Sequence, residues 1–180
     1  MLRIYYPYEW VDSVFAIDYE KLFKLGYRAV IFDIDNTLVH HGNDSTEAVD
    51  ALFPRIHALG MKTLLLSNNS EQRVQRFCKN IHIPYIHEAN KPDASGYRKA
   101  LEMMGVEKAQ AVMIGDQIFF DIKGANRCGM ASILVNYLRK PDEKKIGIRR
   151  NLEKIILKFY KISRFQHRIG DICKEESPHG

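Results

Sequence analysis

Short apolar runs alternate with amphipathic segments along most of this chain. Runs rich in β-branched and apolar residues predict five strands, at 27–32, 62–66, 83–87, 109–114 and 131–136. Apolar residues at helical spacing predict four intervening helices, at 45–59, 70–80, 93–104 and 117–128. Because the connections hold only a few residues, right-handed crossovers should align the strands side by side. The pattern therefore predicts an α/β domain, with a Rossmann-like parallel sheet and helices on both faces.

Capping residues mark where these helices should begin and end. Ser45 or Asp44 is expected to cap the helix over 45–59. Pro54 lies inside this helix and should kink or break it, because proline lacks the backbone N–H that a helix interior needs. Gly105 is expected to end the helix over 93–104.

A basic amphipathic helix is predicted after the last strand. Its apolar stripe, with members recurring at helical spacing, consists of Ile148, Leu152, Ile155, Phe159 and Ile162. Basic residues fall between them: Arg150, Lys154, Lys158 and Lys161. Three roles are open: docking of the stripe on the domain with the charges in water, attachment to an anionic lipid surface, and contact with RNA or the ribosome. We expect a core over 1–137 and a helical extension over 138–180.

Length and composition narrow the class of protein. The 180 residues suffice for one domain with a substantial core, and 46% hydrophobic and 27% charged residues are typical of a soluble protein. The net charge of +5 is uneven, because eleven basic and three acidic residues lie between Leu138 and Ile169. The three cysteines have no disulfide or zinc spacing, and no apolar run approaches ~18 residues. The expected location is the cytoplasm, with peripheral membrane contact through the basic tail as an option.

Polar groups suited to phosphate chemistry follow four predicted strands. They are Asp33 and Asp35 in "FDIDNTLV", Ser67 and Asn68 in "LLLSNN", Lys91 before a proline, and Asp116 with Asp121 in "IGDQIFFD". The carboxyl ends of parallel strands meet at one edge of a sheet, which is where such folds bind ligands. Occurring in order and at strand ends, these groups predict one site and not a scatter of helix caps.

The residue types in this set suit a phosphate and a hard cation. Carboxylates in one crevice repel each other unless a cation neutralises them, and Mg²⁺ binds through a few carboxylates. Ser67 offers a hydroxyl, Asn68 a backbone N–H and Lys91 a positive charge to phosphate oxygens. Asp33 can then act as a nucleophile that forms an aspartyl-phosphate, while Asp35 handles the proton as general acid and base.

The same stretches resemble a known family. "FDIDNTLV", "LLLSNN", "KP" and "IGDQIFFD" resemble the four motifs of the haloacid dehalogenase (HAD) superfamily of phosphohydrolases. Longer stretches resemble the YqeG-like branch of its subfamily IIIA, from near the N-terminus through about residue 160. A related branch contains the mitochondrial phosphatidylglycerophosphate phosphatase of fungi. The resemblance implies a HAD-like fold and a Mg²⁺-dependent phosphatase.

The resemblance also implies a role for each motif residue. Asp33 matches the nucleophile and a Mg²⁺ ligand, and Asp35 matches the general acid/base, which binds Mg²⁺ through its backbone carbonyl. Lys91 matches the lysine that neutralises nucleophile and phosphate. The remaining matches are Ser67 and Asn68 for phosphate binding, Asp116 for the metal, and Asp121 for the outer shell of the metal.

The motif spacing bears on the substrate. HAD enzymes usually carry a cap domain between the first and second motifs or between the second and third, and neither gap here has room for one. An open site suits a large phosphorylated substrate, such as a lipid head group, a protein or a nucleic acid. The first hypothesis is a phospholipid monoester such as phosphatidylglycerophosphate. The alternatives are another phosphate ester, or a non-catalytic HAD-fold scaffold that binds RNA or the ribosome through the basic tail.

Two further clusters have less defined roles. His40, His41 and Asn43 follow the first motif and are interpreted as exposed loop residues or as specificity residues at the mouth of the site. The aromatic segment "YYPYEW" near the N-terminus is expected to pack against the sheet edge as part of the core, with a membrane-facing or substrate-facing lip as the alternative.

Overall fold

A computed structural model describes residues 2–139 and 147–174. Five charged residues assigned to the basic tail lie outside the described residues: Lys140, Asp142, Glu143, Lys144 and Lys145. Residues 175–180 of the expected helical extension also lie outside them.

Six parallel strands form one sheet. They are β1 (Glu9–Val11), β2 (Ala29–Phe32), β3 (Lys62–Leu66), β4 (Tyr85–Ile86), β5 (Ala111–Gly115) and β6 (Ala131–Val135). Their spatial order is β1-β6-β5-β2-β3-β4, and every neighbouring pair is parallel. The predicted α/β class is confirmed. The edge strand β1 was not among the predicted strands. It begins in the aromatic N-terminal segment and pairs with β6.

Helices cover both faces of the sheet. They are α1 (Tyr19–Lys24), α2 (Glu47–Ala58), α3 (Glu71–Phe77), α4 (Ala94–Met104), α5 (Lys123–Cys128) and α6 (Ile148–Lys161). One apolar cluster joins α1, α2 and α3 to Val30 and Phe32 of β2. A second joins α4 and α5 to Ala29 and Ile31 of the same strand. Because alternate residues of a strand point to opposite faces, β2 is buried on both sides. Within the described residues, no helix combines the length and hydropathy needed to cross a membrane.

The N-cap of α2 differs from the prediction, and of the two effects expected of Pro54, a kink or a break, the break does not occur. The N-cap is Thr46, whose hydroxyl accepts from the backbone N–H of Val49, and not Ser45 or Asp44. The helix also continues through Pro54 without a break. Phe53 and Ile56, on either side of the proline, are buried in the core, and this packing outweighs the single lost backbone hydrogen bond.

The segment that follows β5 begins differently from the predicted helix over 117–128. Its first turn, Ile118–Ile122, is a wide π-type turn, and the regular helix α5 begins only at Lys123. The wide turn directs Asp121 back to the end of β5, where its carboxylate accepts from the backbone N–H of Gln117 (3.0 Å). Turns of this type occur frequently at functional sites.

The face of α6 that packs on the domain is not the predicted one. Ile156 and Tyr160 are buried against Tyr6, Ile118 and Leu134. All members of the predicted apolar stripe are exposed instead: Ile148 by 81%, Leu152 by 48%, Ile155 by 50%, Phe159 by 51% and Ile162 by 83%. The hypothesis that the stripe docks on the domain is therefore wrong. The burial of Tyr6 fits the expectation that the N-terminal aromatic segment packs as core.

Candidate active site

The carboxyl ends of four neighbouring strands bring the predicted residues together. Asp33 and Asp35 follow β2, and Ser67 and Asn68 follow β3. Lys91 lies beyond β4, while Asp116 and Asp121 follow β5. Because β5, β2, β3 and β4 are adjacent in the sheet, the four segments meet at one edge, as the sequence predicted.

Three buried carboxylates form the centre of this site. Asp33, Asp116 and Asp121 each place one oxygen within 4.8 Å of the others. Lys91 donates from Nζ to Asp33 (2.5 Å) and to Asp121 (2.7 Å). The Thr37 hydroxyl lies 3.3 Å from an Asp33 oxygen and 3.2 Å from an Asp116 oxygen, so it can donate to either.

The electrostatics of this centre favour an added cation. Burial raises the pKa of Asp33 to about 6, although the Lys91 charge opposes that shift. Burial and the neighbouring Asp33 charge raise the pKa of Asp116 to about 8. The two carboxylates of Asp33 and Asp121 hold the pKa of Lys91 above its usual range, although burial acts in the other direction. Three clustered carboxylates of this kind are a donor set that fits Mg²⁺.

Asp35 lies in a different environment from Asp33. It accepts from Asn69 Nδ2 (2.6 Å), from Arg73 Nη2 (2.8 Å) and from the backbone N–H of Gly42 (3.0 Å). Burial alone would raise the pKa of Asp35, but these donors together lower it. The His41 ring lies 3.4 Å from the same carboxylate, which places this histidine at the mouth of the site. Asn69 and Arg73 also belong to the site. Asn69 lies in the "LLLSNN" segment, although it had no assigned role, whereas no sequence pattern indicated Arg73.

Ser67 and Asn68 occupy the end of β3 beside these groups. Ser67 is fully buried, and its hydroxyl oxygen accepts from the side-chain amide of Asn69 (2.9 Å). The Asn68 side chain donates to the Lys91 backbone carbonyl (3.1 Å) and accepts from the Lys91 backbone N–H (2.7 Å). Asn68 therefore fixes the backbone of Lys91, a role that sequence reasoning did not foresee.

Arg150 reaches this site from α6. It donates to the carboxylate of Asp116 and to the Asp116 backbone carbonyl (2.6 Å). Glu153 pairs with Arg150 (2.9 Å) and accepts from the backbone N–H of Ile118 (2.8 Å). Sequence reasoning counted Arg150 among the charges of the basic tail. Arg150 and Asp116 are 34 residues apart in the sequence, so no local sequence pattern could have revealed their contact.

Gly115 is the position at which the site tolerates no side chain. A Cβ added there would overlap the Asp121 carboxylate, which Lys91 and Gln117 hold in place. We expect Gly115→Ala to lower the free energy of unfolding by ~1–3 kcal/mol and to reduce turnover, because Asp121 must move. Chemical denaturation and phosphate release measure the two effects.

Gly147→Ala is the control for this prediction. A Cβ at Gly147 would meet nothing within 4 Å, and replacing this N-cap glycine should cost less than ~1 kcal/mol. Equal effects of both substitutions would contradict this account.

Comparison with known proteins shows the family to which this chain belongs. The family model for haloacid dehalogenase-like hydrolases matches residues 43–129. The probable phosphatase YqeG of Bacillus subtilis (strain 168) is 34% identical over 156 residues, which cover 86% of this chain and 91% of that protein. The chain belongs to the haloacid dehalogenase-like hydrolases. Within them it is an enzyme of the YqeG-like phosphatase family.

Two more distant proteins are also similar to this chain, one in sequence and one in structure. The chloroplastic/mitochondrial phosphatidylglycerophosphate phosphatase 1 of Arabidopsis thaliana is 26% identical over 163 residues, covering 84% of this chain and 47% of that protein. The cobalt-bound deoxy-D-mannose-octulosonate 8-phosphate phosphatase of Haemophilus influenzae is 16% identical, with a TM-score of 0.53 over 78% of this chain and 92% of that chain. This last similarity establishes a shared fold alone.

Proposed function

We propose that this phosphatase is a Mg²⁺-dependent phosphomonoester hydrolase that works through an aspartyl-phosphate on Asp33. The observation that carries the proposal is the buried Asp33 carboxylate, held by Lys91 beside Asp116 and Asp121 at the carboxyl edge of the sheet. Asp33, Asp116 and the Asp35 backbone carbonyl would hold the ion, with Asp121 in its outer shell. When bound, Mg²⁺ would neutralise the carboxylates and the charge on the phosphoryl group.

In the proposed reaction, an Asp33 oxygen attacks phosphorus and the bond to the leaving oxygen breaks. Lys91 offsets the negative charge on Asp33 and on the phosphoryl group, while the Ser67 hydroxyl and the Asn68 backbone N–H bind phosphoryl oxygens. Water then attacks the phosphoryl group and releases phosphate, which regenerates Asp33. Because the neighbouring carboxylates raise the pKa of Lys91, its side chain keeps its positive charge in both steps and exchanges no proton.

Asp35 would donate a proton to the leaving oxygen in the first step and accept one from water in the second. Its lowered pKa makes it a carboxylate at neutral pH, which suits the uptake of a proton from the attacking water. To protonate the leaving oxygen in the first step, Asp35 must carry a proton. We propose that substrate entry breaks the bonds from Arg73 and Asn69 and thereby removes the donors that keep Asp35 ionised.

A phospholipid head group is the proposed substrate class. Only α2, β3 and their loops lie between Thr37 and Ser67, and only α3, one short helical turn and β4 lie between Asn69 and Lys91. No cap domain therefore closes over the site from either position, which suits a large substrate. The similarity to the Arabidopsis phosphatidylglycerophosphate phosphatase supports phosphatidylglycerophosphate as the first substrate to test.

Peripheral contact of this phosphatase with a membrane belongs to the same proposal. The exposed apolar stripe of α6 is bordered by Lys154 and Lys158, an arrangement that suits an anionic lipid surface. Phosphatase activity on another phosphate ester is the alternative. A scaffold that binds RNA or the ribosome is the alternative without catalysis, but a non-catalytic protein would have no need for three crowded carboxylates.

Phosphate release from a small substrate panel tests the proposal. The panel comprises p-nitrophenyl phosphate, micellar phosphatidylglycerophosphate, a phosphopeptide and a 5′-phosphorylated oligonucleotide, each with Mg²⁺ and with EDTA. We expect Mg²⁺-dependent release that EDTA abolishes, and preference for the lipid. Release that is unchanged in EDTA would overturn the metal dependence, and preference for another substrate would overturn the lipid assignment. No release from any of them by a folded protein would favour the scaffold.

A further inference from the structure

A cleft of about 320 Å³ separates α6 from the ends of β1 and β6. Its inner end is formed by Asp116 and Arg150, which are paired with each other. Its apolar lining consists of Trp10, Ile118, Leu134, Val135, Tyr137 and Leu157. Lys154, Lys158 and Lys161 also line it, and all three are exposed. The cleft thus has an apolar wall and a basic side.

This cleft adjoins the proposed chemistry directly. Asp116 lines the cleft, and one of its oxygens lies within 4.8 Å of an Asp33 oxygen. A phosphoryl group positioned for attack by Asp33 would therefore lie beside the inner end. The group attached to that phosphate needs a place to extend, and the cleft provides space for it next to the site.

The lining indicates the chemistry of that group. Its two carboxylates, Asp116 and Glu153, are both paired with Arg150. Among the described residues that line the cleft, the lysines therefore have no acidic partner. Lys161 lies with its Nζ 4.7 Å from the centre of the Trp10 ring, so the basic side borders the apolar wall directly. A ligand that fits both features has an apolar part and a negative charge.

We propose that this cleft is the leaving-group subsite of the phosphatase and that it binds an anionic amphiphile. The inference rests on the proposed function and deepens it, since it assigns the part of the substrate beyond the transferred phosphate. In this arrangement α6 supplies one wall of the substrate site, a contribution that a cap domain makes in other members of the superfamily.

Trp10 permits a direct binding test without turnover. It is the only tryptophan of the chain and lines the cleft, so its fluorescence reports occupancy. The probe is dihexanoyl phosphatidylglycerol at monomeric concentrations in EDTA, with zwitterionic dihexanoyl phosphatidylcholine as the comparison lipid. We expect a saturable change with the anionic lipid and at least about tenfold weaker binding of the zwitterionic one. Equal binding of both lipids, or no saturable change, would overturn the inference.

Charge reversal on α6 provides a matched pair of variants. Lys158 lines the cleft, whereas Arg149 lies outside its lining, on the same helix, with its guanidinium 4.6 Å from the centre of the Phe120 ring. We expect Lys158→Glu to weaken phosphatidylglycerol binding about tenfold and Arg149→Glu to change it less than twofold. Equal effects of the two substitutions would overturn the inference, because a general loss of positive charge would then explain them.

Turnover separates a failure of the subsite from a failure of the proposed function. The measure is the ratio of kcat/KM for dihexanoyl phosphatidylglycerophosphate to kcat/KM for p-nitrophenyl phosphate. We expect Lys158→Glu to lower this ratio about tenfold and Arg149→Glu to leave it unchanged. A ratio unaffected by Lys158→Glu would overturn the subsite alone. Absence of turnover of both substrates by the wild type would instead overturn the proposed function, and the assignment of a leaving-group subsite with it.

Discussion

Asp33→Asn should abolish phosphate release, with a loss of roughly 10³-fold or more in kcat/KM. The amide of asparagine is not a nucleophile of this strength and cannot form an acyl-phosphate, while its size and shape leave the site otherwise intact. Mg²⁺-dependent hydrolysis of p-nitrophenyl phosphate measures the loss. Asp44→Asn is the control, because Asp44 is an exposed carboxylate that pairs with Arg76 at the surface, away from the buried centre. Wild-type turnover by the Asp33 variant would exclude Asp33 as the nucleophile.

In EDTA, the Asp33→Asn variant should be at least as stable against unfolding as the wild type. The pKa of Asp33 is raised to about 6 in the folded protein, so the ionised carboxylate disfavours the folded state above that pH. Since one pKa unit corresponds to ~1.4 kcal/mol, the gain from asparagine could approach ~3 kcal/mol at pH 8. It should shrink as the pH falls from about 6 toward 4 and vanish below about pH 3, where Asp33 is protonated in both states. Urea unfolding across this range measures it, and a gain that grows toward low pH would contradict the argument.

Lys91→Met should be the most destabilising single substitution in the site. Lys91 is the only cation bonded to Asp33 and Asp121 among the described residues, and all three side chains are at most 8% exposed. Methionine fills similar space but leaves two buried carboxylates without their partner. Breaking a buried ion pair in this way typically costs ~3–5 kcal/mol, and loss of the Lys91 charge should also abolish turnover. Thermal or urea unfolding in EDTA measures the loss of stability.

Two further variants test the cause of that loss. Lys24→Met is the control: it removes an exposed lysine paired with Glu20, and solvent screens such a surface ion pair, so the stability should change little. Asp33→Asn in the Lys91→Met background removes one of the two unpaired carboxylates, so it should restore part of the lost stability. A double variant less stable than Lys91→Met alone would show that lost packing, and not unpaired charge, causes the effect.

The convergence of the site on one edge of the sheet was predictable from the sequence. Each of its four segments comes after a predicted strand, at its carboxyl end, and parallel strands place their carboxyl ends together. Lys62–Leu66 was predicted with the bounds that the structure has, because a run of buried apolar residues is a local signal. The inclusion of Arg73 and Arg150 was not predictable, since their contacts to Asp35 and Asp116 depend on how distant elements are placed.

Helix α6 shows most clearly what the local sequence pattern cannot determine, which is the face of a helix that packs on the domain. Helical spacing in the sequence predicted an amphipathic helix after the last strand, and α6 is present at Ile148–Lys161. The sequence offers two apolar faces on this helix, one with Ile155 and Phe159 and another with Ile156 and Tyr160. Periodicity could not decide which face would pack, because that choice depends on the complementary surface of the domain.

The sequence by itself therefore determined the α/β class, the order of the elements and the identity of the clustered carboxylates, since each depends on local periodicity and strand ends. Only the tertiary structure decided that β1 forms an edge of the sheet and that α6 packs through Ile156 and Tyr160. The same packing brings Arg150 to Asp116 and opens the cleft beside it. The physical reason is that these features arise where surfaces distant in the chain meet, and burial there depends on the fit of both partners.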